Sequence, residues 1–226
     1  MNLHLLQLGD SALPIGGYSH SWGLEVAIES GSVRTAGGLE TWVRLWLHGA
    51  VGPFEGVLVG SACRAALRGD WTSALAYNDF LDAGITPRTL RQASRSMGDQ
   101  LLQLAEAWPW ASDTIATLQG ATTPERAGWH HAIVFATLAA AAGSSPVDAV
   151  AVYLHQAALG CIGAGVRAIP IGHTHGQQIL ARLHGEIEAL AEEFAQREPE
   201  TAGSFCPAYE VLCHAQANLY TRIFRS

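Results

Sequence analysis

The sequence contains no lysine; all 13 of its basic residues are arginine. A Walker A loop is therefore excluded, because its Lys must reach the nucleotide phosphates, and so is Schiff-base chemistry on a Lys amine. Charge of either sign is scarce, at 15% of residues, and the net charge is −7. Nucleic-acid binders are usually basic with clustered cations, whereas the arginines here are scattered, which rejects that class. Cysteine is sparse too: Cys63, Cys161, Cys206 and Cys213 include no CxxC pair. They read as reduced thiols, packed as small apolar side chains in a cytoplasmic protein. The opening Met1-Asn2-Leu3-His4-Leu5 lacks a basic region and soon meets Asp10 and Pro14, so no secretory leader is expected.

What the chain has in abundance is apolar side chains, at 49%. With so little charge to cover the surface, exposed apolar area that meets partners or a second copy is expected beside the core. The longest apolar runs are Ala132–Gly143 and Ala149–Val166. The first is too short to span a bilayer, and the second carries His155-Gln156 in its middle. Both read as buried helices, with no membrane association.

Helical periodicity dominates, and no alternating run reads as a strand. Leu39, Trp42, Val43, Trp46 and Leu47 recur at helical spacing, as do Leu180, Leu183, Ile187, Leu190 and Phe194. Thr86-Pro87, Thr123-Pro124 and Ser145-Pro146 each predict a hydroxyl N-cap followed by Pro at the first helical position. The expectation is an all-α, single-domain helical bundle over residues 1–226. Gln196–Ser204 reads as a flexible connector. It would detach a last helix at about Pro207–Asn218 and a tail at about 219–226, disordered or loosely docked in the isolated chain.

Candidate chemistry is thin. Gly172-His173-Thr174-His175-Gly176-Gln177 offers a His-x-His pair, but Zn²⁺ or Ni²⁺ would need two more ligands. Neither Cys161 nor His184 lies at a typical metal spacing. The same segment resembles the Thr-His-Gly-Gln stretch of the fumarase and adenylosuccinate lyase superfamily, without that superfamily's loop lysine and at about half its length. A His-rich metal-binding protein and a small helical lyase using His173 or His175 thus stand as alternatives. His130-His131 cannot chelate together from one helix, where neighbours point about 100° apart, so one packed and one solvated ring is expected. Of Glu186, Glu188, Glu192 and Glu193, Glu188 and Glu192 share a helix face that Glu186 and Glu193 do not join, and the set reads as the solvated side opposite a leucine stripe. Ser19-His20 is no catalytic dyad, and no Gly-x-Ser-x-Gly elbow occurs.

Two stretches stand apart. Asp10–Glu25 reads DSALPIGGYSHSWGLE. Pro14 stops any helix, Gly16-Gly17 permits positive φ, and Tyr18, His20 and Trp22 follow before a helix begins near Leu24. The last residues are Tyr220-Thr221-Arg222-Ile223-Phe224-Arg225-Ser226. Both strings resemble the urease accessory protein UreF family. Further matches are Val166-Arg167-Ala168-Ile169-Pro170-Ile171-Gly172 with Gln177, and more weakly Arg91–Ser94 with Met97-Gly98. His173 stands where the family usually has Gln, and His175 near an expected acid or small residue.

The resemblance implies a non-catalytic, all-helical, dimerising protein. It would join UreD (also called UreH) and the GTPase UreG and help deliver nickel to urease apoprotein. Nickel would pass in transit, with no cofactor held tightly and no metal site. Tyr18, His20, Glu25, Arg167, Tyr220, Arg222, Phe224, Arg225 and Ser226 would meet partners. Pro14, Gly16, Gly17, Pro170, Gly172 and Gln177 would shape the loops. On physical grounds alone, Arg167 is equally a cation that complements a helix C-terminus.

Overall fold

A computed structural model describes residues 2–122 and 128–226. Among these residues every regular element is helical. The helices are α1 Leu3–Leu8, α2 Leu24–Glu29, α3 Ala36–Trp46, α4 Val57–Leu67, α5 Trp71–Gly84, α6 Arg88–Ala105, α7 Ser112–Gly120, α8 His131–Ala141, α9 Pro146–Ala168, α10 His173–Phe194 and α11 Pro207–Ala215. One hydrophobic core runs from Leu5 in α1 to Phe224 beyond α11.

α8 lies at the centre. Residues 131–140 are buried on every face, as expected of a helix that is apolar all round. It packs on α4 and α6, while α9 and α10 form the most extensive helix pair. α9 is long and apolar enough to cross a membrane by length and composition, but half of its most apolar window is buried inside the fold. Close packing depends on glycine at a few crossings. A Cβ at Gly98 would lie 1.9 Å from the Trp129 carbonyl, where α6 meets the start of α8.

α3 and α4 are joined without a break by a ten-residue π-helical stretch, Leu47–Gly56, with Pro53 inside it. Proline cannot donate to the ladder and its ring presses on the carbonyl four residues back, Gly49 here, so wider turns relieve the clash. The Gly49 carbonyl accepts from the Phe205 N–H at 3.1 Å, and that of Pro53 from the Gly203 N–H at 3.1 Å. The segment expected to be a flexible connector is therefore strapped to the π stretch. Ala202 is buried there, and the Arg64 guanidinium donates to the Ala195 and Arg197 carbonyls.

Helix starts follow the sequence in one case and shift in another. Ser145 caps α9: its Oγ accepts from the Asp148 N–H at 3.1 Å and donates to the Asp148 carboxylate at 2.7 Å. Thr86 does not cap α6; Pro87 occupies the cap position and the helix begins at Arg88. Pro87 itself stays in extended backbone, at φ −69° and ψ 117°, so the first helical residue moves one position on to Arg88. Thr123-Pro124 lies outside the described residues.

Candidate functional site

The two stretches that stand apart in the sequence and the Val166–Gly172 segment converge on one side of the fold. Gly16, at φ 86°, opens a 3₁₀ turn over Gly17–Ser19, and Gly23, at φ 77°, opens α2. Between them Trp22 sits at φ 54°, the one non-glycine residue in left-handed backbone among those described. This turn aims two successive N–H groups the same way. Ser21 N–H and Trp22 N–H donate to the Ser226 backbone oxygen at 2.5 and 3.2 Å, and Ser21 Oγ adds a third bond at 3.0 Å.

The tail is therefore docked through specific hydrogen bonds, where disorder or loose docking was expected. The Arg225 N–H donates to the Ser19 carbonyl at 2.8 Å, and His20 Nδ1 shares a 2.7 Å hydrogen bond with Ser226 Oγ. Glu25 is buried at 7% exposure and accepts from the Ile223 N–H, the Phe224 N–H and Gln216 Nε2 at 2.5, 3.3 and 2.5 Å. The expectation rested on the turn-like composition of Gln196–Ser204, whereas the carboxylate that ties the tail down lies about two hundred residues away in sequence. The tail's aromatic and basic side chains divide between the core and solvent. Phe224 is 5% exposed and faces inward, while Tyr220 and Arg222 face solvent.

Arg167 joins loop and tail. Its guanidinium carbon lies 3.4 Å from the Tyr18 ring centroid and 4.9 Å from that of Phe224, and Nη2 donates to the Tyr18 carbonyl at 2.7 Å. A planar cation between two rings gains from both faces. Burial pushes the His20 imidazole down to about 4, and the nearby Arg225 charge pushes the same way, so His20 is neutral at pH 7.

The second break is formed by Pro170 and Gly172, and Gly172 is the residue immediately before α10. Gln177 is not in this loop; it lies exposed within α10, because the helix resumes directly after Gly172. His173 and His175 are exposed on the first turn of α10. Among the described residues no three His, Cys, Asp or Glu side chains come together as a metal-ligand set. His130 and His131 are both buried, correcting the expected split. His130 is held by Ser94 Oγ at 3.0 Å and Asp82 at 3.2 Å, and His131 packs against Tyr153 and Phe135. Burial pushes both imidazoles down to about 4. Of the four glutamates on α10, Glu186 leaves the solvated set to pair with Arg44 at 2.9 Å.

Behind the loop is a cavity of ≈ 220 Å³ walled by Leu13, Trp22, Trp46 and Met97, with Tyr18 and Arg167 at its edge. Glu55 and Tyr153 meet in it at 2.9 Å. Nothing in the sequence reading pointed to Glu55. Its one signal was Pro53 within an otherwise helical pattern, two residues before a carboxylate.

The UreF family model matches residues 33–184. Urease accessory protein UreF of Pseudomonas fluorescens is 32% identical over 223 residues, covering 98% of this chain and 97% of the relative. The chain belongs to the UreF family. The UreF proteins of an Arthrobacter species and of an Azoarcus species are 32% and 34% identical, each covering 99% of this chain. This membership displaces the lyase alternative. It also places the three converging segments, read first as a UreF-like pattern, within a UreF-family chain whose relatives align along nearly their whole length.

Proposed function

We propose that this UreF-family chain is a non-catalytic maturation factor that bridges UreD/UreH and the GTPase UreG and helps deliver nickel to urease apoprotein. It acts in the cytoplasm as a homodimer and alters GTP use by its partner; nickel passes as cargo and is not held tightly. The observation that carries this reading is the convergence of loop, helix break and tail around Arg167, within a family whose members are named urease accessory proteins. The tail also presents Tyr220 and Ile223 at 100% and 71% exposure, side chains of the kind that anchor interfaces.

The test is complementation of a urease-positive host that lacks this chain alone, with co-purification of the tagged protein. Restored urease activity and recovery of both accessory partners are expected. Failure to restore activity with the chain folded and expressed, or recovery of neither partner, would overturn the reading.

A further inference from the structure

A second cleft, ≈ 60 Å³ in volume, backs onto the cavity described above and shares Trp22, Trp46 and Glu55 with it. Its other walls come from Phe54 in the π stretch, the Gly84–Pro87 turn, Ser204, and Tyr209 and Glu210 on α11. Its lining therefore holds four aromatic rings and two carboxylates, and no basic side chain.

Glu55 is poorly provided for. Tyr153 OH donates to it, but no cation among the described residues offsets its charge, and burial pushes its carboxyl up to about 7. It keeps some accessible surface because it faces the cavities. An uncompensated carboxylate beside aromatic faces suits a weakly hydrated organic cation. A hard divalent ion would want several more ligands. Exposed apolar side chains neighbour the lining residues: Phe80, whose ring centroid lies 6.0 Å from that of Phe54, is 43% exposed, and Phe205 and Val211, next in sequence to Ser204 and Glu210, are 91% and 66% exposed. A cleft of this size takes a side-chain head group, and these apolar neighbours take the surface around it.

We propose that this cleft is a docking site for an arginine side chain presented on the apolar surface of a protein partner, with Glu55 and Glu210 as counter-charges and Trp22, Trp46, Phe54 and Tyr209 as walls. It supplies a contact surface for the accessory role proposed above, yet its test needs neither urease nor nickel.

The probe is the capped tripeptide acetyl-Leu-Arg-Leu-amide, titrated into the full chain while the indole N–H signals of Trp22 and Trp46 are followed by NMR. Citrulline in place of arginine gives the uncharged control. The arginine peptide is expected to shift both indoles and the citrulline peptide to bind at least ten-fold more weakly. Glu55→Gln should weaken arginine binding about ten-fold, and the more accessible Glu210→Gln about three-fold. Binding should also be about ten-fold weaker at pH 6 than at pH 8, because the Glu55 proton must leave before the cation enters. The other groups facing Glu55 are Tyr153, Tyr209 and Glu210, with Asp10, His131 and Arg167 around the larger cavity.

Equal binding of the two peptides, or unchanged binding by both folded variants, would overturn the site. If the peptide instead dissociated a homodimer, the occupant would be a second copy and the assignment to a different chain would fall. Any of these failures leaves the complementation test standing on its own.

Discussion

Replacing Glu25 by alanine removes the acceptor that three donors share. Two of them, the Ile223 and Phe224 N–H groups, belong to the tail, and the third is the Gln216 amide. A hydrogen bond to a charged group contributes about 1.5–3 kcal/mol, so the two tail bonds together contribute about 3–6 kcal/mol. The lower end applies, because a released tail regains hydrogen bonds to water. A loss of about 3 kcal/mol raises the open fraction about 100-fold. The tail should then open locally while the helical body stays folded, since the rest of the core does not lean on Glu25. Hydrogen exchange read by mass spectrometry should show residues 223–225, whose N–H groups are hydrogen-bonded, exchanging about 100-fold faster, and trypsin should cut after Arg222 in the variant first. Glu25→Gln, which keeps a neutral acceptor, should fall between. Unchanged tail exchange in a folded Glu25→Ala protein would refute the argument that this carboxylate holds the tail.

Gly98→Ala should lower stability by about 3 kcal/mol or more, read as a fall in urea midpoint, because its Cβ would lie 1.9 Å from the Trp129 carbonyl and the backbone must move. Stability should fall as pH drops from about 6.5 toward about 4, because the unfolded chain takes up protons on His20, His130 and His131 before the folded one does. Each imidazole contributes on the order of 3 kcal/mol across that window. Glu55, with its carboxyl raised to about 7, opposes this between about 4.5 and 7, so Glu55→Gln should steepen the acid loss seen in urea titrations at pH 7 and pH 5. Arg167→Lys should loosen the tail more than its conserved charge would indicate, because an ammonium cannot lie flat between Tyr18 and Phe224; faster exchange at Phe224 is the readout.

Local patterns in the sequence were enough for the all-helical class. The apolar stripes at 3.6-residue spacing and the Ser145 cap with Asp148 act within a turn or two, so their physics is visible in a short window. The loop glycines were legible in part for the same reason: of Gly16-Gly17, Gly16 takes positive φ and Gly17 does not, while Gly23, which also does, carried no such expectation. Periodicity could not say which polar residues would meet. Glu25 and Ile223 are 198 positions apart in sequence, and Arg167 reaches Tyr18 across 149. Only the packing of α9 against the N-terminal loop brings them together. The same limit explains the misread connector: Gln196–Ser204 has a turn-like composition, and what orders it is the Gly49 and Pro53 carbonyls of a distant π stretch. It also explains Glu55, whose charge looks ordinary in the sequence and becomes an uncompensated carboxylate only when the tertiary structure closes two cavities around it. Short-range backbone preferences are written along the chain, whereas desolvation and long-range hydrogen bonding belong to the packed whole.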